Sequence, residues 1–273
     1  MPPTKPEFRK RSSGAFMRCR VLGILLFNMF FSLGASLHAL YQSNPSTPEL
    51  LDEGMFFPKE HCVSMRWGYQ RDQVFDRKLK GKEGVFGNIS QVTQLYNQGI
   101  LTLNFMDRLD VFGAVGAMSI GFNDHPWGEA EVQFATHDQL TYGGGIRAAL
   151  INWHKATFGA SGSVQYAHPH VKWARVDGAS INSLGKARYV EWQVGMALSY
   201  HADMFIPYIG VNYSSVSLSL RDGFIQGKGK MVAREPFGLS LGCDLTETKV
   251  FDLGLEVQLF SEQAVTLKGD IKF

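Results

Sequence analysis

Cysteine is scarce in this chain: Cys19, Cys62 and Cys243 are the only three in 273 residues. Three thiols far apart in sequence exclude a disulfide framework. They also supply no closely spaced Cys and His set of the kind that holds structural zinc. Long apolar runs are missing beyond residue 37, and the mean hydropathy is −0.09, which excludes a polytopic helical membrane protein. A surplus of charge is missing as well. The formal charge is +2, but Lys5, Arg9, Lys10, Arg11, Arg18 and Arg20 crowd the first twenty residues with one acid, Glu7. The remainder holds 21 bases against 24 acids, so nothing favours nucleic acid as a partner.

Catalytic patterns are lacking too. His168 and His170 offer two imidazoles without the Cys or carboxylates that would complete a metal site, and a solvated loop accounts for them. Gly227-Lys228-Gly229-Lys230 has the wrong spacing for a phosphate loop and no Ser or Thr after Lys230. Asn88-Ile89-Ser90 matches a glycosylation sequon that chance supplies often. Gly143-Gly144-Gly145 reads as a bend or thin spot in a strand. No serine sits in a nucleophile elbow. The expectation is no catalytic residue, no cofactor and no metal.

What is present is alternation. Glycine (29), Phe (20), Tyr (9) and Trp (5) are abundant. In Lys249–Phe273, Phe251, Leu253, Leu255, Val257 and Leu259 fall on one side of a strand, with Asp252, Glu256 and Gln258 on the other. Val265, Leu267, Ile271 and Phe273 then alternate with Thr266, Lys268, Asp270 and Lys272. Successive strand residues point to opposite faces, so this is a hairpin with one apolar and one polar face. The same two-residue period marks Val63–Gln70, Leu101–Phe105, Val111–Phe122, Gln139–Trp153, Ala156–Ala167, Tyr189–Tyr200 and Met204–Leu220. In the last of these the apolar positions change from odd (Ile209, Val211, Tyr213) to even (Val216, Leu218, Leu220). A β-bulge near Ser214-Ser215 would restore the faces.

Short turns at 107–110, 153–155, 201–203 and 245–248 alternate with long links at 72–98, 123–138, 168–186 and 221–231, the link at Ser261-Glu262 being a short one on the second side. Outer-membrane barrels alternate their connections in this way. The expected fold is all-β: a transmembrane antiparallel β-barrel of about ten strands. Twelve is the alternative, if Glu131–Thr136 and part of 85–97 pair. Residues 1–39, basic and then apolar from Val21 to Leu37, read as a signal peptide cleaved after Ala39. Residues 40–60, with Pro45, Pro48 and Pro58, read as an irregular lead-in, and 61–273 as the barrel.

Several segments resemble the chlamydial major outer membrane protein family of porins. Ser64-Met65-Arg66 through Val74-Phe75-Asp76-Arg77 is similar to that family's first strand and its exit. Asp107-Arg108-Leu109-Asp110-Val111-Phe112 resembles its Asp-Arg-Phe-Asp-Val-Phe turn. Phe158-Gly159-Ala160-Ser161 through Gln165-Tyr166-Ala167 resembles another strand. Trp192-Gln193-Val194-Gly195, Leu198-Ser199-Tyr200 and Met204-Phe205-Ile206-Pro207-Tyr208-Ile209-Gly210-Val211 form the longest match. The segments keep the family's order. Family porins are longer and richer in cysteine, and Cys62 sits near a family cysteine. Cys62 and Cys243 could pair with each other, with other chains, or stay free.

The resemblance implies an outer-membrane porin that lets small solutes or ions diffuse passively. The alternative is a structural or surface-interaction barrel with a closed lumen. Candidate pore-lining residues are Arg66, Arg147, Glu191, Asp252, Glu256, Lys268 and Asp270, which would either tune selectivity or pair and plug the barrel. Candidate interface aromatics are Trp67, Tyr69, Tyr166, Trp192, Tyr200 and Tyr213. Phe273 is a candidate C-terminal assembly signal. Expected partners are outer-membrane lipid and the barrel-assembly machinery, with a second copy or other envelope proteins left open.

Overall fold

The computed structural model describes residues 43–50, 63–82, 88–125, 131–181, 185–221, 229–248 and 250–273. The expected signal peptide, most of the lead-in and Cys62 lie outside these residues.

Alternation is what builds the wall. Strand β1 (Val63–Lys82) pairs with β2 (Asn88–Phe105), which pairs with β3 (Leu109–Asp124). Next around the wall come β5 (Gln139–Trp153), β6 (Ala156–Ala167), β9 (Lys186–Tyr200) and β10 (Phe205–Arg221). Then follow β12 (Phe237–Thr248), β13 (Phe251–Leu259) and β14 (Glu262–Lys272). Strand β14 returns to β1, with Arg66 opposite Lys272 and Arg77 opposite Glu262. Every neighbour is antiparallel, and the ten strands close on themselves. Closure leaves no unpaired sheet edge in this ring, a condition for crossing hydrocarbon. Outward residues such as Trp67, Leu101, Val194 and Leu255 are exposed, while their strand neighbours Arg66, Thr102, Gln193 and Glu256 are buried. The wall is therefore apolar outside and polar inside.

Tight turns join strands at one end. Arg108 N–H donates to Phe105 O at 3.1 Å across Met106 and Asp107, both at positive φ, the geometry that matches strand twist in two-residue hairpins. The turn thus begins one residue before the expected 107–110, and Leu109 and Asp110 already belong to β3.

The opposite end departs from the sequence reading. The expected loop at 72–98 is mostly strand, because β1 and β2 continue as a paired hairpin to Lys80 and Asn88. The segment 168–186 holds β7 (Val171–Val176) and β8 (Ala179–Ile181). Residues Val132–Thr136 form β4, which pairs with β3 and β7 rather than with 85–97, so the wall does not grow to twelve. Strand β11 (Gly229–Ala233) bridges β10 and β1 above the shorter β12–β14. Residues 169–171, at the approach to β7, bond to residues 185–187 around the start of β9, Ala187 N–H donating to Pro169 O at 2.9 Å and Val171 N–H to Gly185 O at 3.1 Å. Among the described residues this level is lined by β1, β2, β3, β4, β7, the start of β9, β10 and β11, with β7 flanked by β4 and β8 and joined to β9 only next to the His170–Lys186 bridge. The wall narrows from ten strands to eight.

The bulge expected at Ser214-Ser215 is absent. Strand β10 pairs with β9 without a register shift from Tyr208 to Arg221, and its even residues are buried from Ile206 to Leu218. Val216 and Leu218 face inward because the interior itself becomes apolar in the eight-stranded zone. The register shift lies instead in β1, between Val74 and Asp76. It moves the inward face from Arg66, Gln70 and Asp72 to Arg77 and Leu79. On β5 the glycine run marks a close approach: a Cβ on Gly143 would lie 2.1 Å from the Val164 carbonyl oxygen.

Candidate functional site: the barrel lumen

Three layers fill the lumen. At the short-turn end sits a segment from before the first strand, Ser43–Leu50, ending in helix α1 (Thr47–Leu50). The wall holds its backbone directly. Ser43 N–H donates to Glu256 Oε2 at 3.1 Å, Arg66 Nη1 donates to Thr47 O at 2.5 Å, and Asn104 Nδ2 donates to Pro48 O at 2.9 Å. In return Asn44 Nδ2 donates to Ile206 O at 3.3 Å. The hydroxyls of Ser46 and Ser199 are 2.5 Å apart, and His201 Nε2 lies 3.1 Å from Ser46 Oγ. Asn152 Nδ2 donates to Glu49 Oε1 at 2.6 Å. His201 stands in the turn between β9 and β10. Desolvation lowers its pKa below the ordinary 6.5, and the nearby Glu49 carboxylate opposes that shift.

The second layer is ionic. Arg77 donates through Nη2 to Glu191 Oε1 at 2.7 Å and to Glu262 Oε2, and through Nη1 to Tyr189 Oη at 2.5 Å. Tyr189 Oη–H in turn donates a hydrogen bond to Glu191 Oε2 at 2.5 Å. Lower in the lumen, Lys268 Nζ lies 3.3 Å from Asp252 and 3.1 Å from Asp270. Arg66 pairs with Asp110, which also accepts from Asn104 Nδ2 at 2.8 Å. Glu256 accepts from Tyr208 Oη and Gln258 Nε2, both at 2.7 Å. These groups are nearly solvent-free, a condition in which charges persist only when paired or hydrogen-bonded.

The third layer is apolar and sits in the eight-stranded zone. Leu79, Tyr96, Met118, Val132, Ala174, Tyr189, Leu218 and Met231 belong to one buried cluster, one from each strand of that ring. Phe122 and Phe134 stack within it, centroids 5.0 Å apart.

All seven candidate lumen residues named from the sequence lie on buried inward positions. Arg147 differs from the others: its guanidinium stacks 4.6 Å over the Phe112 ring, and its Nε and Nη1 have no hydrogen-bond partner among the described residues. The six candidate aromatics lie on the outer surface. Trp192, Tyr213 and Phe237 form a row with centroids 5.3 and 5.2 Å apart, and Tyr166 stacks on Tyr142. Trp67, Tyr69 and Tyr200 are exposed at other heights. Phe273 N–H donates to Met65 O at 2.9 Å beside the β1–β14 seam. Cys243 is a free, half-buried thiol on β12. Sequence reasoning missed Asp72, Arg77, Asp110, Tyr189, Asp244 and Glu262. Strand parity from Arg66 reaches Asp72, but the β1 register shift hides Arg77. Among the described residues no group of three His, Cys, Asp or Glu side chains could hold a metal ion.

A family profile described as Chlamydia major outer membrane protein matches residues 162–228. The major outer membrane porin of Chlamydia trachomatis serovar A is 24% identical over 394 aligned positions, covering 93% of this chain and all of the relative. The chain is similar to the chlamydial major outer membrane proteins over most of its length. The alignment has far more positions than the chain has residues, so the relative carries segments absent here. The Chlamydophila psittaci major outer membrane porin is 27% identical over 282 positions, 66% of this chain and 70% of the relative. Among solved structures, an outer membrane channel from Pseudomonas putida F1 covers 85% of this chain at 13% identity and TM-score 0.41. The Escherichia coli outer membrane protease OmpT covers 77% at 12% identity and TM-score 0.36. The chain is an outer-membrane β-barrel, and its outward apolar face sits in lipid.

Proposed function

We propose that this chain is a porin-like outer-membrane protein that passes small ions or polar solutes by diffusion and rests in a closed state. The observation that carries this reading is the polar, charge-bearing lumen inside a closed ten-stranded wall. Its relatives' names, major outer membrane porin, support the same reading. Residues 1–39 would export the chain, 40–60 would supply the lumen segment, and 61–273 would form the pore, with the barrel-assembly machinery reading the end at Phe273. The seven candidate lumen charges would line the path and the six aromatics would seat the barrel at the membrane interfaces. This reading assigns no catalytic residue.

A second reading has one observation of its own. The apolar cluster seals the eight-stranded zone, and eight-stranded rings are commonly filled by side chains. A permanently closed barrel would then serve structure or display the hairpins beyond the cluster. Single-channel recording of the refolded chain separates the two, with folding checked by heat-modifiable gel mobility. Discrete conductance steps are expected. A folded barrel that never conducts, even when Asn104→Ala and Ser199→Ala loosen the lumen segment, would leave the second reading standing.

A further inference from the structure

The lumen holds more carboxylates than cations. Among the described residues eight Asp and Glu side chains are buried on the barrel interior, against five Arg and Lys. The excess is not spread evenly. It gathers at two nodes, each built around one cation. Arg77 is shared between Glu191 and Glu262. Lys268 is shared between Asp252 and Asp270 and also faces Asp244, which is fully buried beside it. The nodes lie one above the other along the lumen, because β14 supplies Glu262 at one end and Lys268 and Asp270 nearer the other. The opposing contributions come from Arg66, already paired with Asp110, and from Arg147, which makes no ion pair within 4 Å in the described set; Asp270 lies close enough to feel both charges.

We infer that the open lumen is a path for small monovalent inorganic cations, with the carboxylate excess at the Arg77 and Lys268 nodes setting the preference. This deepens the porin-like reading and rests on it. A narrow passage with low-dielectric walls focuses the field of its fixed charges, and side-chain carboxylates select cations in this way. At each node an arriving K⁺ meets a carboxylate already sharing its cation. It gains a ligand without first breaking a one-to-one ion pair. An anion meets a cation already surrounded by acids.

The test is the reversal potential of single channels of the full refolded chain with unequal KCl on the two sides. A K⁺ to Cl⁻ permeability ratio above one is expected. Asp252→Asn, which keeps the side-chain shape, should lower the ratio, and Arg147→Gln should raise it. Heat-modifiable mobility confirms that each variant folds. A ratio at or below one in a conducting barrel overturns the inference while leaving the porin-like reading intact. So does a ratio that neither substitution moves. Folded protein without any conductance steps, in the parent, in both variants and in the loosened Asn104→Ala and Ser199→Ala proteins, overturns the porin-like reading and the cation preference together.

Discussion

Arg77 is the residue on which the upper lumen depends. Its guanidinium is 2% exposed and answers two carboxylates and a phenol at once. Desolvating three charges is costly, and their mutual attraction offsets that cost only while the set is complete. Arg77→Met removes the cation and leaves Glu191 and Glu262 facing each other in a dry interior. Breaking a buried pair in this way costs about 3–5 kcal/mol, so the variant should unfold at clearly lower denaturant concentration in detergent. Adding Glu191→Gln and Glu262→Gln removes the stranded charges and should recover most of the loss. No recovery would mean that Arg77 acts through its packing against Tyr189 rather than through charge. Glu191 was legible in the sequence because it alternates with Val190 and Trp192 in an unbroken strand. Arg77 was not, because the shift between Val74 and Asp76 reverses the parity of β1, and polar residues past Gln70 resemble a loop.

At the scale of elements, the Ser43–Leu50 segment behaves as an internal stopper. It buries Pro45 and Pro48 together with its polar residues, and single hydrogen bonds to the wall hold its backbone. Such contacts are each worth about 1 kcal/mol, which makes release accessible. His201 adds a pH dependence. Its environment includes Ser46, the Glu49 carboxylate and the Lys155 carbonyl that accepts its backbone N–H. Docking lowers the imidazole pKa below 6.5, so the docked state prefers neutral His201. The stabilisation is present above the free pKa and is lost as pH falls through the folded value, because the released segment leaves an imidazole that takes up a proton more readily. Channel openings should therefore become more frequent as the short-turn side is acidified below about pH 6.5, and His201→Gln should abolish that dependence. An equal response in His201→Gln would assign it to another group. The Pro-rich lead-in was visible in the sequence, but its destination was not. Nothing local in Ser43–Leu50 says that its partners are Arg66, Asn104, Ser199 and Glu256, which lie on strands that meet only when the barrel closes.

At the scale of the whole molecule, the change from ten strands to eight decides what the barrel can pass. The long links at 72–98 and 168–186 hid further strand, whereas the strand count and the short turns were readable in the sequence, since both follow from side-chain periodicity and turn chemistry. The narrowing was not, because it depends on β4, β7 and β11 taking the places of β5, β6 and β12–β14 beside the same neighbours. It left one trace, the loss of polar residues at inward positions after Ser214, which a strict polar-inside rule reads as a bulge. The cluster it encloses makes a sharp prediction. Met118, Leu218 and Met231 come from three separate strands and are fully buried. Converting Leu218 and Met231 to Ser removes volume and adds hydroxyls to the largely apolar cluster. Each truncation of a buried Leu or Met costs about 2–5 kcal/mol when it leaves a cavity, and a polar cavity of that size admits water. The double variant should be less stable and should conduct more than the parent, since hydrophobic constrictions block ions by excluding water. Leu241→Ser on the outward face of β12, 40% exposed, is the control: it should leave single-channel conductance unchanged. If Leu218 and Met231 can be converted without any gain in conductance, the cluster is not the barrier, and the ionic layer around Arg77 beneath it holds the pore shut instead.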